Sequence, residues 1–288
     1  MTRLHIQKTY KIFIDGKFPR TESGRYYPIN DDKGALIANM CLSSRKDFRN
    51  AVVAARKAQS GWAGKTAYNR SQILYRLAEM LETRSASFVE EMQQLGWPKK
   101  QAINEIETSI DTLVYYAGWC DKYTALFSSV NPTASAHFNF SVHEPTGVVA
   151  AVAPEHTPLH GLIATIAPVV CGGNSVVVLA SEKLATSAIS FAEVIQNSDV
   201  PSGVINILTG SMSELLPQMA SHKDVNALLM CREGLGTEAK QNITENVKRL
   251  VSWTVSWKVH NPYKILDLQE VKTTWHPVQA DVAGGGGY

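Results

Sequence analysis

The sequence is poor in cysteine. Cys41, Cys120, Cys171 and Cys231 are the only four in 288 residues, widely spaced and without a C-x-x-C pair. That spacing excludes a disulfide-stapled scaffold and reads as free, mostly buried thiols of a reducing compartment. An excess of one charge sign is lacking too. The 28 Lys and Arg residues nearly balance the 26 Asp and Glu residues, leaving +2, and the two signs are mixed along the chain. Such a balance removes the electrostatic basis for a nucleic-acid or anionic-membrane partner. No apolar run is long enough to span a bilayer; the longest, at 147–154, has the length of a strand. The opening MTRLHIQKTYKIF lacks the apolar core of a secretory signal, and there are no internal repeats. A soluble, cytoplasmic protein is the expectation.

What is present is an ordinary globular composition, 44% hydrophobic and 19% charged, in a chain long enough for one large domain or two modest ones. YKIFIDGKF (10–18) alternates around Asp15-Gly16, a strong hairpin-turn signal. Ser44 precedes Asp47 by three, a variant capping box that opens a predicted helix over 46–60. Ile73, Leu74, Leu77, Met80 and Leu81 share one face of a helix over 69–83. Further helices are expected at 86–95 and 99–127, so the first third reads as helical after a short extended start. From Phe138 the pattern changes. FNFSVHE alternates with period two and reads as an exposed strand. GVVAAVAP, SVVVLA, GVINIL, VNALLM and VKRLVSW are short, β-branched and apolar on both faces, with helical segments at 159–170, 186–196, 213–221 and 236–246 between them. Buried strands alternating with helices imply right-handed crossovers and a parallel sheet. The expected fold class is α/β: a Rossmann-like, doubly wound parallel sheet preceded by helices. After Trp253 the alternation stops; 254–264 is loop-like, 265–278 is extended, and 279–288 reads as a flexible tail.

Ligands of doubly wound sheets sit beyond the carboxyl ends of the strands. Three loops there bear polar residues: Glu155-His156-Thr157, Ala180-Ser181-Glu182 and the segment 231–236. The last leads into Gly234-Leu235-Gly236-Thr237-Glu238-Ala239, a literal G-x-G-x-x-A whose backbone N–H groups are placed to approach a pyrophosphate. The alternative is a plain glycine-rich helix start. Arg232 and Glu233 lengthen the turn, and the strand 247–253 ends without an acid to hold a ribose. Glu155-His156 reads either as an acid/base dyad or as a solvated loop pair. His156 and His160 have the i, i+4 spacing of zinc ligands, but Pro158 lies between them and no third ligand stands near, so no metal is expected. Cys231 ends a strand beside Arg232, which would lower its pKa, yet no His or Asn partner can be assigned. Cys171, just before Gly172-Gly173-Asn174, reads as buried packing at a helix end, and Cys41 and Cys120 fall in helical or edge regions. No residue is expected to be catalytic; His156 and Cys231 are the nearest candidates.

Read together, IFIDGKF (12–18), DFRNAVVAARKAQSGW (47–62), NRSQILYRLAEMLETR (69–84), YYAG (115–118), HEPTGVVAAVAP (143–154), VVCGGNSVVVLASE (169–182) and VPSGVINILTG (200–210) resemble the aldehyde dehydrogenase superfamily. LQEVKTTW (268–275) is similar to that family's C-terminal strand. The resemblance implies an NAD(P)-binding Rossmann-like domain with a small β oligomerisation arm that pairs across a dimer. It divides the chain into a helical N-terminal part of the cofactor domain (1–137), an arm strand (138–146), the Rossmann-like part (147–253), a linker in place of a catalytic domain (254–264) and a second arm strand (265–278).

The departures from the family pattern bear on function. Pro154-Glu155-His156 stands where the family usually has proline-tryptophan-asparagine, the asparagine being its oxyanion donor and the tryptophan a neighbour of the cofactor pyrophosphate. Leu179 replaces the usual ribose-binding lysine, leaving Glu182 to hold a ribose hydroxyl. The phosphate loop, commonly phenylalanine-threonine-glycine-serine-threonine, aligns with 229–233, where the Glu233 carboxylate is electrostatically wrong for a pyrophosphate and Arg232 offsets it. After VKRLVSW the family continues into its catalytic domain, whereas here the arm strand follows; no cysteine matches the nucleophile and no glutamate the general base. The expectation is a truncated, degenerate and catalytically inactive subunit that oligomerises with itself or with a full-length aldehyde dehydrogenase. Should a cofactor bind, it is NAD or NADP, through Glu182, Gly234 and Gly236. The alternatives are an NAD(P)-dependent oxidoreductase acting on aldehydes and a nucleotide-sensing module without turnover.

Overall fold

The computed structural model describes residues 8–31 and 33–278; the tail expected at 279–288 lies outside the described residues. The chain opens with three strands, β1 (Thr9–Tyr10), β2 (Tyr26–Asn30) and β3 (Leu36–Cys41), in a small sheet of order β1-β3-β2. Between β1 and β2, Ile14 and Lys17 bridge across Asp15-Gly16, whose φ values of 53° and 70° are those of a tight primed turn that the Asp-Gly pair tolerates. Phe13 exchanges two backbone hydrogen bonds with Ile207 (2.9 and 2.8 Å), so this hairpin covers an edge of the central sheet.

Five helices follow: α1 (Arg45–Ala63), α2 (Ala67–Thr83), α3 (Ser85–Gln94), α4 (Lys99–Trp119) and the short α5 (Tyr123–Phe127). The Ser44–Asp47 capping box forms at α1, and Asp47 also accepts from Thr21 Oγ1 at 2.6 Å, fixing the hairpin segment to the helix start. Two departures from the sequence reading appear here. The strands β2 and β3 lengthen the extended start beyond the 10–18 hairpin that the sequence signalled, and the helix expected at 99–127 breaks at 120–122 into two.

The expected alternation follows: β6 (Val148–Val152), α6 (His160–Cys171), β7 (Ser175–Leu179), α7 (Ala185–Gln196), β8 (Ile205–Leu208), α8 (Met212–Ser221), β9 (Ala227–Met230), α9 (Thr237–Thr244) and β10 (Arg249–Ser252). All five strands are parallel, in the order β10-β9-β6-β7-β8. Because strand side chains alternate, Val149, Ala151, Val176 and Val178 enter the core beneath α2, α4, α6 and α7. Val148, Ala150, Val152, Val177 and Leu179 enter the opposite core with Phe48, Val52 and Ala55 of α1 and Leu215 and Met219 of α8. Both faces are covered, which is why these strands read as unbroken apolar runs. The fold is the expected α/β doubly wound sheet.

Two further strands, β4 (Ser129–Asn131) and β5 (His137–Pro145), precede β6, and α10 (Tyr263–Leu266) and β11 (Gln269–Pro277) follow β10. The strands β4, β5 and β11 form a third, antiparallel sheet of order β11-β5-β4, with β11 and β5 in unbroken register from Gln269↔Pro145 to Pro277↔His137. The short α10 occupies the start of the segment expected to be wholly extended. Buried Asn174 joins the two sheets: its Oδ1 accepts from Gly147 N at 2.8 Å and its Nδ2 donates to Leu268 O at 3.0 Å.

Candidate functional site

In this strand order the chain runs outward from β6 through β7 to β8, then returns to place β9 on the other side of β6. The reversal makes the carboxyl ends of β6 and β9 the topological switch point, where the two flanking loops part and doubly wound folds bind ligands. The loops after β6, β7 and β9 carry the three candidate segments, so the structure brings them together.

Glu155, after β6, turns its carboxylate toward the start of α7. It accepts from Lys183 N (3.0 Å), Glu182 N (3.3 Å) and Ser181 Oγ (3.2 Å). Ser181 Oγ lies 2.8 Å from Glu155 O and accepts from Leu184 N at 3.1 Å, which stiffens the turn. From the other side of the switch point Arg232, after β9, pairs with Glu155 through Nη1 and donates Nη2 to Ala180 O at 3.1 Å. The side chains are only 14% and 17% exposed, and burial pulls the Arg232 guanidinium pKa down while Glu155 pushes it up. Three strand ends are thus tied by one ion pair.

The start of α6 is filled in the same way. Glu105 of α4, itself buried, accepts from Leu159 N (3.1 Å) and His160 N (2.8 Å), the backbone donors that open the helix. Burial raises its carboxyl pKa. The starts of α6 and α7 therefore each hold one of the chain's own carboxylates.

His156 is exposed in the bend before α6, and the Glu155 carboxylate engages Arg232, Ser181 and two backbone amides. The geometry does not assemble a Glu155–His156 dyad. His160 faces the other way, buried 5.4 Å from Trp257 and 6.5 Å from His260, and burial lowers its pKa to about 4. His156 and His160 thus share no site, and among the described residues no group of three or more His, Cys, Asp or Glu side chains is placed to hold a metal.

At Cys231 the lowering expected from Arg232 is outweighed by burial. The thiol is 2% exposed, accepts from Thr165 Oγ1 at 3.4 Å, and is pushed up to about 11 by burial, against smaller lowering by Thr165 and by the Lys264 and Arg232 charges. All four cysteines are buried and free, with Cys120 and Cys171 Sγ 3.5 Å apart.

Glu182 lies on the rim of a cavity of about 500 Å³, lined also by Tyr27, Lys183, Ser211, Met212 and Arg232. Gly234 and Gly236 are exposed, and neither lines that cavity. Gly234 has a φ of 117°, a left-handed conformation that side chains rarely adopt, and this backbone requirement accounts for the glycine; Met212 Cε, 2.5 Å from where a Cβ would sit, is the movable end of a flexible side chain. The G-x-G-x-x-A follows β9, the fourth strand of the unit. The Rossmann fingerprint follows the first strand, here β6, whose loop has no glycine before Gly161.

The segment 253–264 is tied down rather than loose. Thr112 Oγ1 and His260 Nε2 are 2.8 Å apart, Tyr116 OH donates to Asn261 O at 3.3 Å, and Lys264 Nζ donates to Trp257 O at 2.8 Å. Lys264 is 4% exposed, and burial brings its pKa down to about 8. This cluster, with Glu105 and His160, escaped the sequence reading because its members lie on α4, α6 and the segment before β11.

The family model of the aldehyde dehydrogenase family matches residues 18–272. The chain belongs to the aldehyde dehydrogenase family. Among curated relatives, retinal dehydrogenase 2 of Gallus gallus is 35% identical over 232 residues, covering 78% of this chain and 44% of that protein. Cytosolic 10-formyltetrahydrofolate dehydrogenase of Mus musculus is 32% identical over 232 residues, covering 78% of this chain and 26% of that protein. An NAD+ complex of aldehyde dehydrogenase from Bacillus cereus shares the fold with a TM-score of 0.79 at 24% identity, over 85% of this chain and 50% of that one. This aldehyde dehydrogenase-like chain spans half the length, or less, of these three relatives. Among the described residues no helix is long and apolar enough to cross a membrane.

Proposed function

We propose that this aldehyde dehydrogenase-like chain is a catalytically inactive subunit that keeps the family's assembling scaffold and associates through the β4/β5/β11 arm with itself or with a full-length aldehyde dehydrogenase. One observation carries this reading. Only residues 253–268 separate β10, the last strand of the central sheet, from β11, and β11 then pairs with β5 along its whole length. In the family pattern a catalytic domain lies between those two strands. Aldehyde oxidation needs an accessible thiolate and an oxyanion donor, and the four thiols here are buried. The arm presents two strand edges and exposed Val130, Phe138, Val271 and Trp275, surface that favours pairing with another chain. A soluble cytoplasmic setting, without nucleic acid or membrane, is part of the same reading.

The test is assembly. The chain is co-expressed with a full-length aldehyde dehydrogenase of the same source, and molar mass is measured by size-exclusion chromatography with light scattering. A homo-oligomer or mixed complex that Trp275→Glu disperses is the expected result. A monomer at micromolar concentration, alone and in the mixture, overturns it.

The cavity beside Glu182 favours a second reading, a nucleotide-sensing module without turnover. It calls for saturable binding of NAD+ or NADP+ by the wild-type chain with no aldehyde-dependent reduction. Saturable binding accompanied by such reduction would instead return the chain to the NAD(P)-dependent oxidoreductases.

A further inference from the structure

We propose that Glu155 and Arg232 form an internal latch that closes the switch-point crevice, the Glu155 carboxylate holding the place an anionic ligand would take. This rests on the reading of the chain as a catalytically inactive subunit, and it supplies a means by which the crevice refuses a dinucleotide.

The carboxylate has the contacts of a bound anion: a guanidinium, two backbone N–H groups and a hydroxyl, from the loops after β7 and β9. It is delivered by its own backbone, so it competes as an intramolecular ligand that bulk anions do not dilute away. A phosphate approaching the same donors meets a negative charge already seated there, and like charges brought together in a partly desolvated site repel strongly. Arg232 is held so that it serves Glu155 and Ala180 O, while its Nε–H is buried without a protein partner. The adjoining cavity of about 500 Å³, with Lys183, Ser211 and Ser213 on its wall, has room for a phosphate or pyrophosphate once the carboxylate is gone. Glu155 and Arg232 both stand at positions where the sequence departs from the family pattern, and the structure joins the two departures to each other.

The experiment uses the full chain and inorganic pyrophosphate, with potassium chloride of matched ionic strength as control. Affinity is measured by isothermal titration calorimetry for wild type, Glu155→Ala, Arg232→Ala and the double variant Glu155→Ala/Arg232→Ala. Glu155→Ala is expected to bind pyrophosphate at least about tenfold more tightly than wild type and than the double variant, the scale of an ordinary coupling between two sites. Its thermal midpoint is expected to be raised by pyrophosphate and not by chloride. Equal affinity of wild type and Glu155→Ala overturns the latch, and so does a double variant that binds as well as Glu155→Ala. Where Glu155→Ala fails to fold, Glu155→Gln, which keeps the volume and removes the charge, decides by the same comparison. NAD+ is titrated into the wild type alongside. Binding there overturns the reading that the crevice refuses dinucleotides, whereas unchanged pyrophosphate affinity in the Glu155 variants overturns the latch alone.

Discussion

Glu155 and Arg232, distant in sequence, meet as an ion pair across the carboxyl ends of β6 and β9. The pair does structural work that its two members do not share equally. Removing one member of a buried pair leaves the other charged and uncompensated, at a cost of about 3–5 kcal/mol. Glu155→Ala strands Arg232 in that way. Arg232→Ala leaves Glu155 with Ser181 and the amides of Glu182 and Lys183, so its cost is expected to be nearer about 1–3 kcal/mol. Urea unfolding followed by circular dichroism measures both. An Arg232→Ala loss equal to or larger than that of Glu155→Ala would contradict this ranking.

Asn174 is the corresponding element between the central sheet and the arm. Asn174→Ala leaves Gly147 N–H buried without its partner, whereas Leu268 O keeps the Thr146 N–H and Gln269 Nε2 donors, and a loss of about 1–3 kcal/mol is expected. Hydrogen exchange at β5 and β11 is expected to quicken in the variant before exchange in β6 and β7 does. Uniform quickening across both sheets would show that the residue does not act at this joint.

The buried histidine gives the stability of the chain a definite slope with pH. His160 is lowered from 6.5 to about 4, so between those values the unfolded chain binds the proton that the folded chain refuses. Its contribution is therefore whole above pH 6.5 and is lost as the pH falls toward 4, about 3 kcal/mol in all. Glu105, raised by burial, acts in the opposite sense above pH 4.5, which is why the comparison needs a variant and not the wild type alone. His160→Phe is expected to flatten the wild-type fall between pH 6.5 and 4 in urea titrations. Parallel curves for the two proteins would contradict the assignment.

Thiol chemistry separates packing from catalysis. With Cys41, Cys120, Cys171 and Cys231 all buried, and Cys231 pushed up to about 11, a chromogenic disulfide reagent is expected to find no fast-reacting thiol in the native chain at neutral pH. Four equivalents react once the chain is unfolded. One thiol that reacts rapidly in the native state, and is removed by Cys231→Ser, would contradict the burial described here.

Local signals carried much of this structure. The Asp15-Gly16 turn, the Ser44 capping box, and the alternation of apolar strands with helices from β6 to β10 are all properties of neighbouring residues, and the sequence displays them. Strands β2 and β3, which pair with each other as a hairpin, escaped because Pro28 and the polar Asn30 and Asn39 weaken their alternation; β3 also pairs with β1, well before it in sequence. The break between α4 and α5 falls at Cys120-Asp121-Lys122, with no proline to announce it; Tyr123 is instead drawn into the core by tertiary packing. The three site loops were legible as strand ends, but the bonds between them were not. Nothing in local spacing couples Glu155 to Arg232, or Glu105 to the start of α6. A usable signal existed for the first pair: opposite charges at two departures from the family pattern, on loops that a doubly wound order brings together.

As an inactive subunit with a latched crevice, the chain is expected to bind no dinucleotide and to attack no carbonyl. Titration calorimetry of NAD+ and NADP+ into the wild-type chain, followed by a search for dinucleotide reduction on adding a panel of aldehydes, tests it directly. The expected result is no saturable heat at millimolar cofactor and no reduction. Saturable binding with aldehyde-dependent reduction that Cys231→Ser abolishes would contradict it.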